Sequence, residues 1–147
     1  LLLFFKKEVL SSVMRALPLI AMLLSSGPSA AADLVAVPFR AVNDGAEPMV
    51  CSASLAHWYL IELGRAAPGW AVGANLWADR TSGTIYILNT NRVPMPVEQV
   101  WCGIEGRDAS TRSDVPLERK ARAVPPAIVL ACRDAGGGLL CRPAHAR

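Results

Sequence analysis

Residues 74–89, ANLWADRTSGTIYILN, commit the chain to antiparallel β-structure. Two runs of strand-forming residues flank Asp79-Arg80-Thr81-Ser82-Gly83, which has the chemistry of a compact loop. Asp79 can accept hydrogen bonds from the turn amides, and Gly83 can take the left-handed conformation that closes such loops. If Asp79 faces Thr84, then Ala78 pairs with Ile85, Trp77 with Tyr86 and Leu76 with Ile87. Side chains alternate across a strand, so one face becomes Leu76, Ala78, Ile85 and Ile87, wholly apolar and directed at a core. The other carries Asn75, Trp77, Asp79, Thr84, Tyr86 and Leu88, a mixture of polar and aromatic groups. Asn75, Trp77, Asp79, Thr84 and Tyr86 are therefore the candidate binding residues.

The hairpin lies within His57–Cys102, which holds all four tryptophans (Trp58, Trp70, Trp77, Trp101) and both tyrosines, Tyr59 and Tyr86. Buried aromatics carry large apolar area, so the main core is expected here, with Trp58, Trp70 and Trp101 inside it. Ala56–Leu63 is apolar on both faces except at Glu62, as suits a central strand of a two-layer structure, although a short helix fits the same residues. Gly64 and Pro68-Gly69 end it. After the hairpin, Pro94 and Pro96 impose an extended start. Val97, Val100 and Trp101 then match helical i, i+3, i+4 spacing, with Gly103 as a C-terminal cap, or else continue a strand.

At the start of the chain, residues 14–32 read MRALPLIAMLLSSGPSAAA. A basic start, an apolar run from Ala16 to Leu24 and a small-residue end make the pattern of a secretory signal peptide, with Ala30-Ala31-Ala32 as the cleavage site and Met14 as a natural start. The apolar run is about half the length that a membrane-spanning helix needs. Residues 1–32 are thus read as leader, with 14–32 the signal proper. Residues 33–147 are read as one small exported domain, periplasmic or secreted, with no membrane span after cleavage. Removing Lys6, Lys7, Arg15 and Glu8 with the leader leaves twelve basic against eleven acidic residues, a net charge of +1. Neither a nucleic-acid footprint nor a polybasic membrane patch survives that correction.

Cys51, Cys102, Cys132 and Cys141 all follow the leader. An even count in a short exported chain implies two disulfides. Cys51–Cys102 would tie the ends of the aromatic stretch, and Cys132–Cys141 would staple a terminal hairpin, AIVLAC and LLCR around RDAGGG. No C-x-x-C pair is present, so neither a metal site nor a cofactor is expected.

The remaining segments are plainer. LVAVPFRAV after Asp33 carries Pro38, which cannot donate to a ladder and so marks an edge strand or a broken one. Asn43-Asp44-Gly45 is a strong turn, and AEPMVCSASL after it returns as the second arm of a loose hairpin that delivers Cys51 to the core. Residues 103–126 lose their aromatics and gain charge of both signs, as a solvated loop does. The fold expected is mainly β, a small disulfide-stapled sheet or a two-layer sandwich or barrel of hairpins with room for one short helix. An α+β arrangement is the alternative.

Three functions compete on these residues. The first is an exported interaction module, accessory or inhibitor-like, whose partner is another envelope or extracellular protein. The second is a glycan or small-ligand domain using Trp77 and Tyr86. The third is a hydrolase around His57, which has Ser52, Ser54 and Glu62 nearby in sequence. No G-x-S-x-G or comparable elbow accompanies that histidine, and paired cysteines leave no thiolate nucleophile. The first reading is the one the sequence favours.

Overall fold

The computed structural model of the protein describes residues 33–56 and 58–144. The expected leader, His57 and the last three residues lie outside the described residues. The fold is mainly β, as its alternating pattern implies. Nine strands are β1 (Leu34–Asn43), β2 (Met49–Leu55), β3 (Tyr59–Ala66), β4 (Ala71–Asp79), β5 (Ile85–Leu88), β6 (Pro94–Ile104), β7 (Ser113–Val115), β8 (Ile128–Ala135) and β9 (Gly138–Pro143). A single helical turn, α1 (Asp108–Thr111), precedes β7. The strands form one mixed sheet in the order β3-β2-β6-β5-β4-β1-β8-β9, with β7 on β6, and the sheet does not close.

Strand β6 decides the shape. Its first residues pair with β5, Tyr86 opposite Pro96 and Leu88 opposite Pro94. From Val97 onward it pairs with β2 instead, and the register slips between Ser54–Gln99 and Leu55–Val97, leaving Glu98 as an extra residue. Such a bulge bends the strand that carries it. The bend lets one half of the sheet (β3, β2, β6, β7) share a core with the other (β5, β4, β1, β8, β9). The slip turns Val97 and then Val100 to the core, followed by Cys102 and Ile104, while Trp101 is buried outside that core cluster. The buried Val97, Val100 and Trp101 thus stand at i, i+3, i+4. That spacing imitates a helix, which is why the sequence fits both; the residues are a strand throughout.

The core takes one face of each strand: Val37, Phe39 and Ala41 from β1, Met49, Cys51, Ala53 and Leu55 from β2, Val72, Leu76 and Ala78 from β4. Two disulfides cross neighbouring strands, Cys51–Cys102 between β2 and β6, and Cys132–Cys141 between β8 and β9. The sulfur atoms of Cys102, Cys132 and Cys141 lie within 4.8 Å of one another, so the two bridges sit side by side in the core. All four sulfurs are bonded in pairs and none is a thiolate that could ligate a metal.

Several local expectations are corrected. The Asn43-Asp44-Gly45 turn forms, but its arms do not pair with each other: β1 joins β4 and β8, whereas β2 joins β3 and β6. The turn is therefore a crossing between the two halves, not the tip of a hairpin. Strand β1 is an edge only up to Pro38, because its ladder with β8 begins at Phe39; from there it is flanked on both sides. The segment expected as a central strand from Ala56 is an edge strand, β3, shifted to Tyr59–Ala66 and bulged at Leu63. Within 103–126, β7 pairs with β6 as an antiparallel strand and α1 folds back against β6. Gly103 permits this, since a Cβ there would stand 2.5 Å from the Asp108 backbone.

Candidate functional site

The 74–89 hairpin positions the candidate residues from its turn upward. Asp79 Oδ1 accepts the Thr81 amide at 2.8 Å, its Oδ2 accepts the Ser82 hydroxyl at 2.8 Å, and its carbonyl accepts the Gly83 amide at 2.7 Å. Gly83 has φ +78, the left-handed value such a loop requires. A side chain at Gly83 would also meet the Lys120 and Ala121 backbone below 3 Å, because residues 119–121 lie directly on the loop. The Thr81 amide bond, followed by the Ser82 hydroxyl, holds the Asp79 carboxyl below its usual range.

This turn sets the register Ala78–Ile85 and Trp77–Tyr86. Ala78 and Ile85 are buried, while Trp77 and Tyr86 stand opposite each other on the outer face, half-buried. The neighbouring strands extend the row, since Ala36 is opposite Trp77 and Pro96 is opposite Tyr86. Alongside run Pro38, Asn75, Leu88 and Pro94, in register on the same four strands. Ala36, Pro38, Asn75, Pro94 and Pro96 are exposed. The result is a nearly uncharged patch with two aromatic rings at its centre and prolines at its borders.

The structure brings Asn75, Trp77 and Tyr86 together on this face. Asp79 and Thr84 adjoin them, but their side chains are engaged: Asp79 holds the turn, and Thr84 Oγ1 is hydrogen-bonded to Ser82 Oγ at 2.9 Å. Only Asn75, of the polar candidates, keeps an exposed amide beside the rings.

The other tryptophans divide differently from the expectation. Trp101 is inside, 7% exposed, with its Nε1 donating to Asp108 Oδ2 at 3.3 Å and the Arg112 guanidinium 5.5 Å from its ring. Trp58 and Trp70 are on the surface, 98% and 73% exposed. Trp58 belongs to the tight β2–β3 turn and Trp70 to the β3–β4 turn, where neither meets a second layer. No pattern of alternation assigns a turn residue to a face, so neither position was legible as surface.

Elsewhere the described residues form an apolar concavity and a smaller charged one. The first, of about 590 Å³, is lined by Val37, Ile85, Leu117, Pro125, Ile128 and Leu130 among others. Its lining is almost wholly apolar, with Glu118 its sole charged group. The other, of about 320 Å³, holds Ser52, Glu62, Arg65, Glu105 and Asp108. There Arg65 donates two hydrogen bonds to Glu62 at 2.8 Å and pairs with Glu105 as well. Arg65 lowers the pKa of Glu62, and its own is raised by the same partners, Glu62 first. A carboxylate so occupied is not placed to orient a histidine, and His57 itself lies outside the described residues. Comparison with protein-family models, with curated proteins and with solved structures finds no match to this chain.

Proposed function

We propose that the protein is a small exported, disulfide-bonded interaction module that binds another envelope or extracellular protein through the Trp77–Tyr86 face. The observation that carries this reading is the side-by-side placement of the two rings at the centre of an uncovered, nearly uncharged face. Aromatic residues ringed by neutral contacts are what protein-binding hot spots are made of. The prolines on β1 and β6 add rigid apolar borders that lose little entropy on binding. Two disulfides support an extracytoplasmic setting, where such bridges persist. Glycan recognition is less well supported, because a sugar needs several free polar groups beside the stacking ring, and Asp79 and Thr84 are spent on the turn.

The test is affinity capture from the native compartment with the wild type and with the Trp77→Ala/Tyr86→Ala double variant. Captured proteins are then purified and titrated against both. The variant is expected to stay folded, with both disulfides formed, and to lose on the order of thirtyfold or more in affinity for the reconstituted partner. A variant that keeps every partner, or that unfolds, reduces the face to a packing layer and removes this reading.

A further inference from the structure

Strand β2 ends beside the start of β6. Leu55 is opposite Val97, and the Ala56 amide donates to the Pro96 carbonyl at 3.0 Å. Two chain reversals therefore stand next to each other at this end of the molecule, the β2–β3 turn and the β5–β6 turn. Both display apolar side chains to water. Trp58 is 98% exposed, Tyr59 62%, Leu60 68% and Val93 52%. These are four of the seven large hydrophobic side chains that the described residues leave exposed.

The backbone holds them out at a cost. Trp58 has φ +67 and Arg92 has φ +60, one left-handed non-glycine residue in each turn. That region is unfavourable for side chains bearing Cβ, and glycine or asparagine would occupy it more cheaply. The second turn is nonetheless well built. Asn89 Oδ1 accepts the Asn91 and Val93 amides at 2.9 Å, and the Asn89 carbonyl accepts the Arg92 amide at 2.8 Å. An ordered turn that spends conformational energy to display Arg92 and Val93 has no packing return within the chain.

Charge narrows the partner. Across residues 58–61 and 89–96 the single side chain charged at neutral pH is that of Arg92. The nearest carboxylate along β3, Glu62, is held by Arg65, which it shares with Glu105. Bare aromatic and aliphatic side chains beside one cation, with no carboxylate among them, complement the boundary between lipid headgroups and acyl chains. Tryptophan and tyrosine favour that boundary because each has an apolar body and a polar tip.

We propose that the paired turns are a membrane-docking edge: Trp58, Tyr59, Leu60 and Val93 enter the headgroup–acyl boundary of an anionic phospholipid bilayer, and Arg92 meets a lipid phosphate. This surface is separate from the Trp77–Tyr86 face and does not depend on that face binding a protein.

The experiment uses the full chain and vesicles of phosphatidylcholine with about a third phosphatidylglycerol, some carrying brominated acyl chains. All four tryptophans fall between residues 58 and 101, so tryptophan quenching reports on this domain whatever residues 1–32 do. Brominated lipid is expected to quench the wild type and the Trp70→Phe variant, and to lose most of that quenching in Trp58→Phe. Trp58→Ser/Leu60→Ser should raise the lipid concentration for half-binding on the order of tenfold or more. Arg92→Gln should raise it about fivefold, on anionic vesicles only, with the difference shrinking in high salt. These positions are exposed, so the variants should melt like the wild type, and the Trp58→Ser/Leu60→Ser variant should still capture any partner of the Trp77–Tyr86 face. Absence of wild-type quenching would overturn the proposal, as would equal quenching in Trp58→Phe. A Trp58-dependent dimer in sedimentation without lipid would also overturn it, by assigning the edge to a second copy of the chain.

Discussion

Asn43→Ala should destabilise the protein more than any other single polar substitution at the crossing between the two halves of the sheet. Asn43 is fully buried at the end of β1. Its Nδ2 donates to the Glu47 and Ala66 carbonyls, both at 2.9 Å, and its Oδ1 accepts the Gly45 amide at 3.0 Å. Its backbone is equally committed, taking the Trp70 carbonyl at 2.8 Å and the Gly69 amide at 2.7 Å. One side chain thus ties the β1–β2 crossing to the end of β3, on a strand that belongs to the other half. Each lost hydrogen bond costs about 1 kcal/mol, and a buried carbonyl left without a donor costs about 1–3 kcal/mol. Alanine removes three bonds and strands the Ala66 carbonyl, so the loss should be about 3 kcal/mol. Asn43→Asp should be worse at neutral pH, because it sets a carboxylate against two carbonyl oxygens, and should recover partly in acid as that group regains a proton to donate. Urea unfolding of the oxidised proteins at neutral and acidic pH measures both. A loss below about 1 kcal/mol for Asn43→Ala, or an Asn43→Asp variant no worse than it, would show that the crossing is held by its backbone bonds alone.

The bridges should rank by the chain they close. Cys51→Ala/Cys102→Ala, which opens a separation of 51 residues, should cost about 4 kcal/mol, against about 2.5 kcal/mol for Cys132→Ala/Cys141→Ala, which opens 9; the reverse order in urea unfolding would refute this. Asp79 should make the hairpin acid-sensitive. Its folded pKa lies below the unfolded value, so its stabilisation is present above about pH 4 and is lost as pH falls through the folded value. The stability gap between wild type and Asp79→Ala should therefore narrow from pH 7 to pH 2, and a gap that stays constant would mean that the carboxylate charge is irrelevant to the turn.

What was legible in the sequence depended on how locally each decision is made. The 79–83 loop is closed by its own residues, and Trp77–Tyr86 and Ala78–Ile85 follow from it. The glycine-rich reversal before β9 is equally local, with Gly136 at φ +59 and Gly137 at φ +85. The failures of strand pairing involve partners far along the chain. Asn43-Asp44-Gly45 reads as a turn, but nothing in those residues says whether the arms on either side will meet. Asp44 donates its amide to the Cys132 carbonyl, 88 residues on, and Ala46 donates to Asp134. The bulge at Glu98 is hidden for the same reason. Its carbonyl is taken by Arg119 from 21 residues away at 2.7 Å, and the slipped alternation then imitates helical spacing.

The tryptophans fail for a different reason, which bears on function. Assigning Trp58 and Trp70 to the core assumes that a small domain needs its largest side chains inside. Here the interior between the sheet halves is filled by Phe39, Met49, Leu55, Leu76, Ile85 and valines, together with the two adjacent disulfides. Bridges that replace core volume and also restrict the unfolded chain reduce the area that must be buried. Only Trp101 is then recruited inward, beneath the fold-back of α1 and Arg112. The rest are free of packing duty. Trp77 stands on the open face beside Tyr86, which is opposite Pro96, and Pro96 accepts the amide that leads into the Trp58 turn. The proposed protein-binding face and the proposed lipid-docking edge therefore adjoin at Pro96. A partner seated on Trp77 and Tyr86 would be held at the bilayer surface when Trp58 is inserted.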